Sequence, residues 1–501
     1  MSTPQHVDHL IVGAGFAGLC AAIKLQEDGE TDFVVIERGS DVGGTWRDNT
    51  YPGAACDVPS QLYSYSFARN PDWSSSYSPQ PEIQAYIRDV AERSGTLDRF
   101  VFDTTVNDAV WDEAAHRWTV STSAGVWSAR TVIAGAGGLS EPKMPEIDGI
   151  ETFQGELFHT ARWNHDVDLT GKRVAVIGTG ASAIQVVPAI QPTVGHLDVY
   201  QRTAPWIIPR NDRTYGDLEK KALRWLPGLQ RAYRASVFLQ KELRTIPFTM
   251  YPGLFKVAQR GSLADLKKAI KDPELRKKVT PRFAMGCKRI LVSDDYYPAL
   301  AADNVDVVTD PIAKVTGSSI VTADGVEREI DVLVVATGFY TTDVPIAHHI
   351  VGSHGRSLAE QWADTGMAAY KGTTVPHFPN LFFITGPNTG LGHTSMVLMI
   401  ESQVAYIRDA LRTMRSGGYD VVEVGQAETD AYNESLQQRM KRTVWTVGGC
   451  DSWYLDAHGK NTTLWPRSTI AFRRRLSAFD PDAYTLTTAA RTTSDREEVS
   501  A

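Results

Sequence analysis

Two glycine-rich turns, Gly13-x-Gly15-x-x-Gly18 and Gly178-x-Gly180-x-x-Ala183, each stand between an apolar strand and an apolar helix, and they constrain the fold of this 501-residue chain more than any other feature. The first follows Asp8–Val12, runs through Phe16 into a helix and returns as Phe33–Glu37. In such a unit the first glycine permits a tight turn, the second lets backbone approach a pyrophosphate, and the third lets helix and strand pack closely. Glu37, about 20 residues beyond the turn, can accept from a ribose hydroxyl. Because this site opens the chain and ends in an acid, FAD is the expected ligand, with NAD the minor alternative.

The second unit starts at Lys172–Ile177, continues through Gly178, Thr179, Gly180, Ala181, Ser182 and Ala183, and returns as His196–Tyr200. Ala183 is small enough for the third glycine position. Arg202 and Thr203 then stand where an NAD site would present an acid, and a guanidinium pairs well with a 2′-phosphate, so NADPH is expected over NADH. The pattern predicts an α/β fold with two Rossmann-like dinucleotide-binding domains and a helical insertion.

The flavin domain is expected to be discontinuous, over 1–140 and 381–501, and the NADP domain likewise over 150–210 and 331–380. A Gly-Pro-rich linker at 137–145 separates them, and the strand Asp331–Val335 runs into Ala336-Thr337-Gly338. Residues 211–290 break the alternation and read as a helical insert whose basic stretches form a solvated face. Beyond Tyr484 the polar tail reads as disordered.

Net charge is −8 with both signs interspersed, which gives no reason to expect nucleic-acid binding. No run approaches the roughly 18 apolar residues of a membrane span. Four dispersed cysteines without a C-x-x-C pair indicate neither a disulfide framework nor a metal site. The partners expected are small molecules, the location cytoplasmic, and the oligomeric state is not legible.

The spacing Phe153-x-Gly155-x-x-x-His159-x-x-x-Trp163 resembles the fingerprint of the type I Baeyer–Villiger monooxygenases, with Asn164 where that family usually carries Pro or Asp. The segment from Gly43, Gly44, Thr45 and Trp46 through Tyr51-Pro52-Gly53 to Asp57 resembles the family's other signature. By this resemblance Gly44, Thr45, Trp46, Tyr63, Val106 and Met396 lie at FAD, and Ala55, Cys56 and Asp57 lie where flavin and nicotinamide meet. Gln185 and Trp453 are implied at NADP, the latter from a mobile loop, Ser452-Trp453-Tyr454. In Gly286-Cys287-Lys288-Arg289, Arg289 is implied as the active-site arginine, and Lys288 as a partner of Arg202 and Thr203 at the 2′-phosphate. His159 is given a positioning role.

The resemblance implies NADPH- and O2-dependent insertion of one oxygen beside a ketone carbonyl, through a C4a-peroxyflavin, giving an ester or lactone. The catalytic pair would be Arg289 and Asp57, because a peroxide anion and an oxyanion both need a fixed cation, and a buried cation needs a counterion. The rival readings are an N- or S-oxygenating flavin monooxygenase, a pyridine-nucleotide disulfide reductase and a redox sensor. The ketone's size class is not legible.

Overall fold

The computed structural model describes residues 3–488. Its first sheet has eight strands, with Gln5–Val12 between Phe33–Ile36 and Gly125–Ala134, parallel to both. The sheet continues antiparallel through Arg117–Thr122 and Val106–Asp112, and Leu381–Phe383 adds in parallel beside Gly125–Ala134. The second sheet is wholly parallel, in the order Val305–Val308, His196–Tyr200, Arg173–Ile177, Val332–Val335, Glu156–His159. Val174 to Ile177 and Val332 to Val335 are all buried, as continuous apolar runs covered on both faces should be.

Each glycine turn leaves the carboxyl end of a parallel strand, Gly13 after Val12 and Gly178 after Ile177. In doubly wound sheets this is where ligands bind.

Five helices fill residues 217–278: Asp217–Trp225, Leu229–Glu242, Thr245–Thr249, Phe255–Ala269 and Pro273–Lys278. They leave and return through a two-strand neck in which Ile207–Ile208 pairs in parallel with Leu291–Val292. The helix Leu229–Glu242 does not present a wholly solvated basic face. Arg234 and Lys241 are buried, and Arg234 donates to the carbonyls of Gln61 and Ser64 at 2.7 and 2.9 Å. Glu242, also buried, accepts from the Ile470 amide at 2.9 Å and pairs with His393 at 3.3 Å, so the insert is pinned by polar contacts to the part of the chain that holds the first sheet.

Three expectations need correcting. The stretch 331–380 does not stay with the second sheet, because Ile350–Val351 pairs with Ala109 and Val110 of the first. Val305–Val308, outside both expected spans, completes the second sheet. The chain is still ordered past Tyr484, where Tyr484–Thr487 pairs antiparallel with Val421–Val424, and the rest of the expected disordered tail, 489–501, lies outside the described residues. Among the described residues no helix is long and apolar enough to cross a membrane.

Candidate active site

On the flavin side two glycine turns meet. The Gly43 amide donates to the Ala14 carbonyl at 2.9 Å, and a Cβ on Gly44, whose φ is +53°, would stand 3.1 Å from the Gly15 Cα. The helix Phe16–Glu27 begins at Gly15 with no side chain capping its first turn, which leaves amide donors and the positive end of its dipole for an anion. Glu37 is buried and accepts from the Ala14 and Gly39 amides at 2.7 Å each, with Arg47 at 2.7 Å as its ion partner.

Thr45 and Trp46 open the short helix Thr45–Asp48. Trp46 Nε1 donates to the Tyr63 hydroxyl at 3.0 Å, and the Phe16 ring meets the Tyr63 ring edge-on at 5.3 Å. Trp46, Tyr63 and Met396 are half-buried against the same core as Phe16. Val106 opens the strand that follows Thr104, whose amide bonds to the Glu37 carbonyl at 2.9 Å. The glycine turns, the buried acid Glu37 and the aromatic group of Phe16, Trp46 and Tyr63 are thus brought together at one end of the first sheet.

On the second side, the helix Ala183–Ile190 starts at Ser182, also without a side-chain cap. A Cβ on Gly180 would meet nothing within 4 Å, so the turn Gly178–Ala181 is open to a ligand. Thr179 Oγ1 donates to the Thr203 carbonyl at 3.0 Å. Lys288 lies in electrostatic contact with Arg202, and burial followed by that neighbouring cation lowers its pKa. Arg202, Thr203 and Lys288 therefore collect beside the glycine turn, as an anionic phosphate requires.

Between the two sides lie Asp57 and Arg289, 232 residues apart in sequence. Arg289 donates from Nε and Nη2 to one oxygen of Asp57, at 3.0 and 2.6 Å, and Asp57 is the first cause holding the guanidinium charged. Their side chains retain 34% and 25% exposure, enough for a ligand to touch them. The neighbouring Cys56 is buried and its thiol is pushed up by desolvation, so it is no nucleophile. Ala55 bridges to Pro79, and Cys56 donates its amide to Ser78 at 3.0 Å.

Gln185, expected at NADP, spans from the second unit to the segment that carries Ala55. Its Oε1 accepts from the Tyr51 hydroxyl at 2.8 Å and its Nε2 donates to the Ala55 carbonyl at 2.9 Å, while the Gly53 turn, at φ +81°, abuts the Gln185 carbonyl. It clips the two nucleotide units together. Trp453 is 43% exposed, and the aromatic brought to Arg289 is its neighbour Tyr454, fully buried and in electrostatic contact with the guanidinium. The sequence carried no signal separating these adjacent aromatics.

The cysteines also depart from expectation: Cys287 and Cys450 form a disulfide with Cα atoms 6.2 Å apart. Their separation of 163 residues left the pairing invisible in sequence. The bond ties the Lys288-Arg289 segment to the Trp453-Tyr454 segment.

In the fingerprint, a Cβ on Gly155 would strike the Asp331 carbonyl at 2.4 Å and the Phe153 ring at 2.6 Å, so only glycine fits the bend that leads into the edge strand Glu156–His159. Trp163 packs edge-on against Phe158 at 4.9 Å, and the Asn164 side chain accepts from the Asp166 amide at 3.1 Å. His159 is buried beside Phe339, at 5.8 Å between rings, and its Nδ1 accepts from the Ala161 amide at 3.0 Å. Burial first, opposed by the Gly338 backbone, lowers its pKa to about 4.

A histidine depressed when folded binds fewer protons than when unfolded between about pH 6.5 and about 4, so its contribution to stability is lost as pH falls through that window. Thermal melts from pH 7 to 4.5 are expected to show a steeper loss for the parent chain than for His159→Gln.

Residues 10–216 match the family model described as pyridine nucleotide-disulphide oxidoreductase. The chain is 49% identical to a Baeyer–Villiger monooxygenase of Streptomyces coelicolor, over 96% of this chain and 92% of that one. It is also 49% identical to a Baeyer–Villiger monooxygenase of Pseudomonas aeruginosa, over 97% and 92%. Among solved structures, an oxidised steroid monooxygenase bound to NADP superposes with a TM-score of 0.85 at 32% identity, covering 97% of this chain and 100% of that one. Cyclohexanone monooxygenase from Rhodococcus sp. Phi1 bound to NADP+ gives 0.87 at 29% identity over the same shares.

The fold and site therefore define a flavin-dependent monooxygenase. Within that superfamily, the chain belongs to the type I Baeyer–Villiger monooxygenase family.

Proposed function

We propose that this chain converts a ketone, O2 and NADPH with one proton into an ester or lactone, NADP+ and water. The observation that supports this most is the Asp57–Arg289 pair, fixed and part-exposed at the junction of the two nucleotide units. FAD would be held by the turn Gly13–Gly18, by Glu37 and by the Gly44–Trp46 segment with Tyr63. NADP would be held by Gly178–Ala183, Arg202, Thr203 and Lys288. Bound flavin, reduced by NADPH, supplies the oxygen-activating chemistry.

The chain's own residues do the rest. Arg289 is always charged and offers donors where negative charge gathers on the substrate oxygen as the carbonyl carbon is attacked. Asp57 fixes the guanidinium and balances its charge, and buried Tyr454 walls that side from water. His159, neutral and buried, positions the strand crossing at Gly338 and Phe339.

The test is a ketone panel with purified holoenzyme and NADPH, scored for ester. Sulfoxide or N-oxide formation with no ester would move the reaction to the alternative oxygenases. For the cofactor assignment, Arg202→Ala is expected to raise the KM for NADPH about tenfold or more while changing that for NADH little, since one charge-assisted phosphate contact is lost.

A further inference from the structure

Lys241 is a charged group that this chemistry leaves unused. It sits at the end of the helix Leu229–Glu242, is 7% exposed, and forms no ion pair with a carboxylate among the described residues. Among the described residues its one side-chain hydrogen bond is Nζ donating to the Tyr77 hydroxyl at 3.4 Å. Burial first, then the neighbouring cation Arg244, lowers its pKa to about 8, leaving it mostly protonated at neutral pH.

Tyr77 places this ammonium at the junction already described. Its neighbour Ser78 accepts from the Cys56 amide at 3.0 Å, and Arg210 reaches the carbonyls of both Cys56 and Tyr77 at 3.4 and 3.2 Å. Arg210 also lies over the Tyr77 ring at 5.3 Å. Asp57 lies within electrostatic reach of both Lys241 and Tyr77. Arg244, one turn beyond Lys241 and exposed, likewise lacks a carboxylate partner among the described residues and acts on the same tyrosine.

The cations here outnumber the acids. Arg210, Lys241, Arg244 and Arg289 stand against three acids: Asp57 and Asp212 are already paired with Arg289 and Arg210, and Asp294 accepts from the Arg210 and Asn211 amides at 2.9 and 3.0 Å. A buried ammonium without a counterion is costly, and a site that tolerates one is suited to an incoming anion. We propose that Lys241, with the Tyr77 hydroxyl and Arg244 at the rim, recognises a carboxylate on the substrate, so that the preferred ketone is a keto acid.

A single carboxylate matches this donor set. One oxygen can take the Lys241 ammonium and the other the Tyr77 O–H, while Asp57–Arg289 remains free for the carbonyl end. This proposal rests on the ketone reading above and names its substrate class.

The experiment compares a long-chain methyl ketone with the same chain ending in a carboxylate. First, oxidised holoenzyme is titrated with each compound without NADPH, reading the flavin absorbance difference. The carboxylate compound is expected to bind the parent enzyme about tenfold or more tightly, and Lys241→Met to erase that ratio while Lys241→Arg keeps most of it. Second, kcat/KM for the two ketones should show the same ratio and the same loss.

Equal or weaker binding of the keto acid by the parent enzyme overturns the proposal without recourse to any variant. So does a ratio that survives Lys241→Met. If the titration shows the preference but neither compound yields ester, the ketone reading fails and anion recognition stands.

Discussion

Arg289→Ala is expected to lower ester formation by about two to three orders of magnitude, the usual cost of removing a preorganised donor from an oxyanion site. The loss has two physical sources. One is the missing donor at the substrate oxygen; the other is Asp57, left without the Nε and Nη2 contacts that now balance it. Arg289→Lys should recover little, because a point charge on a flexible stem cannot reproduce a rigid two-nitrogen fork. Anaerobic reduction by NADPH should continue in both variants, since neither touches Arg202 or the glycine turns. Ester yield within tenfold of the parent enzyme for Arg289→Ala would remove the arginine from the catalytic machinery.

The second large effect is expected at Gly18. A Cβ there would stand 1.7 Å from the Gly13 carbonyl oxygen and 2.9 Å from its carbon, and both are backbone atoms that cannot rotate away. Gly18→Ala must push the helix Phe16–Glu27 off the strand Gln5–Val12, widening the turn that would hold the pyrophosphate. Overpacking a tight site commonly costs about 1–3 kcal/mol, and this contact is closer than relaxation of a side chain can relieve. The variant should purify nearly colourless, with flavin occupancy below about a tenth of the parent value. A yellow protein with ordinary occupancy would show that the helix shifts at little cost.

The sequence was most legible where a physical rule fixes residue type. Val174–Ile177 and Gly178 could be read because a doubly covered parallel strand needs an apolar run, and the turn after it needs a glycine at φ +120°. The pairing of Asp57 with Arg289 was not legible from spacing, and came from the family resemblance alone. Tertiary events without a local pattern were invisible: the two-residue strand Ile350–Val351, the Cys287–Cys450 bond, and the amide of Gln185 turned toward Tyr51 and Ala55. Lys241 was read within a solvated helix face, because helical spacing shows which residues share a face and not what that face meets.

The Cys287–Cys450 bond also limits how far the neighbouring tryptophan can travel. Trp453 stands three residues beyond Cys450, and three residues of fully extended chain span about 10–11 Å at most. While the bond is intact, Trp453 stays within that reach of an anchor two residues from Arg289. Any displacement of Trp453 is bounded by that tether, and a thiol reductant that opens the bond removes the bound.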